Sequence, residues 1–225
     1  MKRKVISQAN TKYFNLFRTI RAKVSPYVPS FYTNSIEYIF GRSCIETESL
    51  QAFISELPLL LLDQNDLQIL TPHLEDAFVK KALQSCCFSS IIAWELINVG
   101  INKIPELKGF SPVVIVCKGR MHIFPAIKNS SGIYLLDFTD PFKKLIGNNF
   151  AYMQQEELDK DQFKIFTNKK EAEAVLLSYA FQNIAAIYQK IGEHDLSQKY
   201  LHLEANLVNE NSINIYTGFE DFLID

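Results

Sequence analysis

The sequence predicts an α+β fold, and three observations lead to that class. Apolar residues recur at spacings of three and four through the first third of the chain, which is typical of amphipathic helices. The middle carries three short β-branched or aromatic runs separated by turn residues, SPVVIVCKG, RMHIFPAIK and GIYLLDF. The last third returns to helical spacing, in KEAEAVLLSYAFQNIAAIYQKIG and HDLSQKYLHLEANLV.

These patterns divide the chain into three predicted segments. Residues 1–84 form a helical amino-terminal lobe, residues 85–150 a core made of one helix and an antiparallel meander, and residues 151–225 a carboxy-terminal pair of helices. Within the first segment, TPHLEDAFVKKAL predicts a helix with Thr71 as its N-cap. No linker rich in Gly or Pro separates the segments, so we expect them to pack on one another.

Composition and charge exclude several classes of protein. The chain has 225 residues, of which 48% are hydrophobic and 21% charged, as in ordinary soluble domains. Lys plus Arg is 23 and Asp plus Glu is 25, so no basic excess is present to hold a nucleic-acid backbone. The longest apolar run, LPLLLL, is too short to span a bilayer, and the basic start lacks the apolar stretch of a signal peptide. We therefore expect a cytoplasmic protein, or one exported by a signal not readable in this sequence, with neither a nucleic-acid nor a membrane partner.

The cysteines do not predict a metal site. Cys44, Cys86, Cys87 and Cys117 lack the CxxC spacing of zinc ligands and do not form a disulfide framework. We expect reduced thiols and no metal or other cofactor.

Two of these cysteines open a predicted helix. In QSCCFSSIIAWELINVGI, Cys86 and Cys87 lie at the start of the predicted helix, and Gly100 lies at a position where a glycine commonly ends one. Unpaired backbone N–H groups and the helix dipole favour a thiolate at such an N-terminus. A cysteine nucleophile also needs a general base within hydrogen-bond reach and a third group that orients the base.

The candidate base and orienting group are His122 and Asp137. If NSSG forms a four-residue hairpin loop, Lys128 pairs with Ile133, and the same register puts Phe124 opposite Asp137. Because strand side chains alternate between faces, His122, Phe124 and Asp137 then share one face, with His122 and Asp137 as diagonal neighbours. A slip of one residue would separate the two onto opposite faces.

This arrangement resembles the transglutaminase-like superfamily of papain-type folds. The matching pieces are CCFSSIIAWELINVGI, HIFPAI and YLLDFTDP, which lie between Ser85 and Pro141 and make up about a quarter of the chain. The resemblance implies a Cys-bearing helix packed on a small antiparallel sheet and a Cys-His-Asp triad. It also implies thiol-dependent hydrolysis or acyl transfer at an amide bond of a protein or peptide substrate.

The resemblance also assigns roles to individual residues. Cys86 is preferred over Cys87 as the nucleophile because Ser90 supplies the small residue that family members place four positions later. His122 would be the base and Asp137 its orienting partner, with Asp140 as an alternate for Asp137. Gln84 is a candidate donor to the oxyanion hole. The chain departs from the family pattern at Ser85, where a glycine is usual, and at Phe124, where a tryptophan is usual.

The carboxy-terminal helices resemble one tetratricopeptide repeat. Small, aromatic and turn residues fall at or near the positions of that motif, at Asn183, Ala185, Tyr188, Gly192, Ser197 and Tyr200. A single repeat must bury its faces against the rest of the chain or a partner. The alternative function is therefore a non-catalytic transglutaminase-like scaffold that binds a protein partner through these helices.

Overall fold

The computed structural model describes residues 16–23, 25, 58–83, 85–103, 105–117, 122–130, 132–135, 152–153 and 163–213. Over these residues the chain is a mixed α+β fold, as predicted, with helices and one antiparallel sheet.

Five helices precede the sheet in the described part of the chain. They are α1 (16–23), α2 (58–61), α3 (Gln64–Leu70), α4 (Ala77–Leu83) and α5 (Cys86–Lys103), with a 3-10 turn at Thr71–His73. The predicted cap at Thr71 is wrong, because the Thr71 hydroxyl donates to the Leu67 carbonyl. Asp76 caps α4 instead, since its carboxylate accepts from the backbone N–H groups of Phe78 and Val79.

The helix α5 begins at Cys86 as predicted and runs further than predicted. Gly100 does not end it, since the helix continues to Lys103 with Gly100 buried in its last turns. An interior glycine disfavours a helix by about 1 kcal/mol relative to alanine. Burial of Leu96, Ile97 and Val99 on the same turns outweighs that preference.

The sheet has five antiparallel strands. They are β1 (Ser111–Cys117), β2 (His122–Lys128), β3 (Ile133–Leu135), β4 (Tyr152–Met153) and β5 (Phe163–Phe166), in the spatial order β4-β3-β2-β1-β5. The predicted pairing of Lys128 with Ile133 is confirmed. The strands β4 and β5 lie within residues 151–225, where only helices were predicted, and β5 pairs with β1.

A helical hairpin follows the sheet. Its helices are α6 (Lys169–Lys190) and α7 (His194–Glu210). The Asn168 side chain caps α6 by accepting from the N–H groups of Lys170 and Glu171. Gly192, at φ +87°, provides the left-handed residue on which the chain reverses. The predicted break between two helices at Gly192 is thus confirmed.

One hydrophobic core joins all three predicted segments. It contains Ile20 and Val79 from the first, Trp94 and Val114 from the second and Phe181 from the third, each almost completely buried. The stretch Ala77–Lys103, which contains α4 and α5, is long and apolar enough to cross a membrane, but 71% of its most apolar window is buried inside the protein. The core helix of a soluble protein can have the same length and composition.

Polar contacts tie the hairpin to the helices before the sheet. The Asp66 carboxylate on α3 is buried and accepts from the Tyr200 hydroxyl at 2.6 Å and from Lys199 at 2.6 Å. The Tyr188 hydroxyl donates to the Asp66 backbone carbonyl at 2.8 Å. These bonds hold α3, α6 and α7 in one arrangement.

Candidate functional site

Cys86 is the first residue of an 18-residue helix and is half-buried. The backbone N–H groups of a first helical turn have no partner within the helix, so they favour negative charge nearby. Among the described residues, no side-chain oxygen accepts from the N–H of Cys86 or Cys87. The Phe88 N–H donates to the Ser85 backbone carbonyl at 3.2 Å, so a thiolate or an oxyanion at this point would meet the N–H groups of Cys86 and Cys87.

Cys87 lies in a different environment one residue later. It is 3% exposed, and burial, reinforced by the neighbouring Cys86, raises the pKa of its thiol far above the usual range. Hydrogen bonds from Ser85, Asn183 and the Phe88 backbone oppose this shift without cancelling it. Cys87 therefore stays protonated at neutral pH, and of the two thiols only Cys86 is accessible.

Ser90 marks where α5 touches the sheet. It is 3% exposed, and its hydroxyl donates to the Ile123 backbone carbonyl on β2 at 2.7 Å. Further along the same two elements, Ile97 packs on Ile127. The two contacts show that α5 and β2 run in the same direction.

The shared direction puts Cys86 and His122 at one end of the helix and sheet layers, because each residue opens its own element. The burial raises the pKa of the Tyr179 phenol on α6, and the nearby Cys86 and Cys117 thiols raise it further. Cys117 pairs directly with His122 across β1 and β2. Cys86 on α5 and Cys117 on β1 therefore both lie near Tyr179, one from the helix layer and one from the sheet.

The His122 side chain nevertheless lies on the far face of the sheet. Its ring packs beside Phe124 with ring centroids 5.4 Å apart, and Phe124 belongs to a core cluster with Ile115 and Cys117. The near face, which α5 covers, carries Ile123 and Ile127. The structure thus brings Cys86 and His122 to one end of the two layers, with the His122 ring on the face of the sheet that α5 does not cover.

Three of the predicted site residues, Gln84, Asp137 and the alternate Asp140, lie outside the described residues. The three described residue pairs between β2 and β3 have the predicted register, and the last of them is Ala126 with Leu135. Asp137 lies two residues beyond this pair in the sequence. The placement of Asp137 opposite Phe124 stays a prediction.

Sequence reasoning missed the contact of Asn183 with the start of α5. The Asn183 amide on α6 donates to the Ser85 hydroxyl at 2.6 Å and approaches the Cys87 sulfur at 3.6 Å. Ser85 and Cys87 are themselves 2.9 Å apart through Oγ and Sγ. Asn183 stood out in the sequence only as a repeat position, and its partners are about a hundred residues away, so no local signal could identify this contact.

Comparisons with known protein families, with curated proteins and with solved structures found no match to this chain. Within the described part of the chain, no three His, Cys, Asp or Glu side chains are grouped as metal ligands would be.

Proposed function

We propose that this protein is a cysteine-dependent hydrolase or acyltransferase acting on an amide bond of a protein or peptide, with Cys86 as its nucleophile. The observation that carries the proposal is the contrast between two adjacent thiols. Cys86 is half-exposed at the start of a long helix, whereas Cys87 is buried with a raised pKa. A cytoplasmic location and a transglutaminase-like core belong to the same proposal.

The chemistry requires one proton to move twice in each of its two stages. His122 takes the proton from the Cys86 thiol, and the thiolate adds to the amide carbonyl carbon while the carbonyl π electrons move to oxygen. Backbone N–H groups at the start of α5 stabilise that oxyanion. When the C–N bond breaks, His122 returns the proton to the leaving amine, and a thioester on Cys86 remains. Water or a second amine then gives a proton to His122 and adds to the thioester carbonyl. The C–S bond breaks, His122 returns this proton to Cys86, and the result is hydrolysis or acyl transfer, with Asp137 orienting the imidazole throughout.

This proton transfer sets a geometric requirement. A general base must come within about 2.6–3.2 Å of the atom that it deprotonates. Cys86 and His122 share one end of the helix and sheet layers, but the His122 ring packs with Phe124 on the far face. Catalysis by this pair therefore requires the imidazole to leave Phe124 and approach the start of α5.

The packing of His122 favours a second candidate, a non-catalytic scaffold. A histidine fixed beside Phe124 has a structural role, and the hairpin of α6 and α7 would then supply the surface for a protein partner. The buried face of α6 packs on this chain, whereas α7 alternates buried residues with exposed ones.

Selective alkylation separates the two candidates. Iodoacetamide at about pH 6 labels ordinary thiols slowly, because few are ionised well below a pKa of about 8.5. We expect rapid labelling of one residue, mapped to Cys86 by peptide mass spectrometry, that is lost in Cys86→Ala. In Cys87→Ala, which removes the buried thiol, the label should still map to Cys86. His122→Gln should slow it. Labelling no faster than that of a free thiol in the wild-type protein would rule out the catalytic proposal in favour of the scaffold.

A further inference from the structure

The start of α5 is held by a side chain from the carboxy-terminal hairpin. Asn183, on α6, is 5% exposed and donates to the Ser85 hydroxyl at 2.6 Å. Ser85 immediately precedes the first residue of α5, and its oxygen is also 2.9 Å from the Cys87 sulfur. The three side chains form a buried or half-buried polar cluster that flanks Cys86, which we call the Asn183 cluster.

This cluster uses the Ser85 hydroxyl in an unusual way. A serine before a helix normally accepts from backbone N–H groups of the first turn. Here the described partners of the Ser85 hydroxyl are the Asn183 amide and the Cys87 thiol. The Ser85 hydroxyl consequently caps none of the first-turn N–H groups. The Ser85 backbone carbonyl accepts from the Phe88 N–H at 3.2 Å, so the N–H groups of Cys86 and Cys87 are the ones that can interact with negative charge at Cys86.

The cluster contacts the buried one of the two thiols, Cys87. Consecutive residues of a helix point about 100° apart, because there are 3.6 residues per turn. Asn183 and Ser85 hold Cys87 inward, where it is 3% exposed. When Cys87 points inward, Cys86, one residue earlier on the same turn of α5, points elsewhere and is half-exposed.

We propose that Asn183 is a positioning residue for Cys86: through Ser85 and Cys87, it fixes the rotation of the first turn of α5 and keeps its N–H groups available to the thiolate. The inference rests on the proposed function of Cys86. It makes the helical hairpin part of the thiol site, since the side chain responsible lies on α6.

The chemical character of the amide fits this role. Asn183 is neutral, so it donates a hydrogen bond close to Cys86 without adding a negative charge that would oppose thiolate formation. An aspartate has nearly the same shape but would add that charge. A leucine has a similar size and would keep the packing while removing the donor.

The test measures the rate of Cys86 alkylation as a function of pH, by peptide mass spectrometry of the full chain. Asn183→Leu should raise the midpoint of the profile and lower the rate at about pH 6 by roughly tenfold, which corresponds to about one pH unit. Asn183→Asp should lower the rate further. In Asn183→Leu, Cys87 should also become open to alkylation.

The matched control is Ser178→Ala, on the same helix. Its hydroxyl donates to Glu204 within the hairpin, so the variant should keep the wild-type pH profile. If Asn183→Leu fails to fold, Ser85→Ala removes the hydroxyl to which the amide donates and should give the same shift.

The outcomes distinguish this inference from the proposed function. A reactive wild-type Cys86 whose pH profile is unchanged in Asn183→Leu, with only the melting temperature lowered, would overturn the positioning role and leave the proposed function standing. Ordinary reactivity of Cys86 in the wild-type protein would overturn both. A shifted profile in Asn183→Leu and Asn183→Asp but not in Ser178→Ala would support the inference.

Discussion

Ser90 donates a 2.7 Å hydrogen bond to the Ile123 backbone carbonyl, and this contact joins the helix that bears the candidate nucleophile to the strand that bears the candidate base. Ser90 lies one turn after Cys86, and Ile123 directly follows His122. The bond is completely buried between α5 and β2, so a larger side chain at position 90 would push the two layers apart. The relative placement of Cys86 and His122 therefore depends on a small residue at this position.

Substitution of Ser90 should show this dependence directly. Ser90→Ala removes one buried hydrogen bond and should lower the free energy of unfolding by about 1 kcal/mol. Ser90→Leu overfills the contact and should lower it by about 1–3 kcal/mol more. Urea unfolding can be followed by fluorescence, because Trp94 is the only tryptophan and is fully buried.

The matched control for this pair is Ser89→Ala. The Ser89 hydroxyl donates to the Cys86 carbonyl within α5, so this hydrogen bond does not join the helix to the sheet. Its loss should change stability by less than about 0.5 kcal/mol. Equal effects of Ser89→Ala and Ser90→Leu would contradict close packing of α5 on β2 at this position.

The buried carboxylate of Asp66 should be critical for attachment of the hairpin. It accepts from Tyr200 and Lys199, while Asp63 binds the same lysine from an exposed position. Asp66→Asn weakens both bonds to the carboxylate and should lower the free energy of unfolding by about 2–3 kcal/mol. The control Asp63→Asn should lower it by less than about 0.5 kcal/mol, because exposed ion pairs contribute little. Similar losses in both variants would disprove the central role of Asp66.

An ion pair between a partly exposed arginine and a buried carboxylate joins α1 to α5. The Arg21 guanidinium donates to both carboxylate oxygens of Glu95, at 2.6 and 3.1 Å, and the Glu95 side chain has no exposed surface. Arg21→Leu would leave that carboxylate buried without its cation, so the free energy of unfolding at neutral pH should fall by about 3 kcal/mol.

Arg18→Leu is the matched control for the loss of Arg21, because Arg18 is exposed on the same short helix. It removes the same charge and should leave stability within about 0.5 kcal/mol of wild type. The double variant Arg21→Leu with Glu95→Leu should recover part of the loss, since no buried charge then remains. A loss in the double variant equal to the sum of the two single losses would contradict direct coupling between the pair.

Local signals in the sequence predicted part of this fold. The start of α5 at Cys86, the pairing of Lys128 with Ile133 and the break at Gly192 each follow from residues next to one another in the chain. The cap at Asp76 is local as well, because the carboxylate accepts from N–H groups two and three residues later, but the cap was predicted at Thr71. The strands β4 and β5 and the continuation of α5 through Gly100 depend on pairing or packing with distant segments, which no local pattern contains.

The position of His122 shows the same limit of local sequence patterns. Strand alternation correctly separates His122 and Phe124 from Ile123 and Ile127. It does not tell which of these two faces α5 covers, because both faces of β2 carry apolar residues. The sequence therefore predicted which residues share a face of β2 with His122. Which face of β2 lies against α5, and so against the helix of Cys86, depends on the packing of α5 in the folded chain.

A carboxylate on α6 should make stability depend on pH in a definite direction. Burial raises the pKa of Glu173; Lys169 opposes the shift and Glu95 adds to it. The folded protein therefore binds this proton more tightly than the unfolded chain does. The contribution of Glu173 to stability is complete below the unfolded pKa of about 4.3 and is lost as the pH rises through the higher folded pKa.

Glu173→Gln should remove that loss, because the amide stays neutral at every pH. The free energy of unfolding, measured by urea titration with Trp94 fluorescence between about pH 4 and pH 7, should rise relative to wild type as the pH increases and then level off. The control Glu171→Gln changes an exposed carboxylate in the same helical turn and should follow the wild-type curve. A difference between Glu173→Gln and wild type that shrinks with increasing pH would give the opposite sign and show that the ionised form is the one that the fold stabilises.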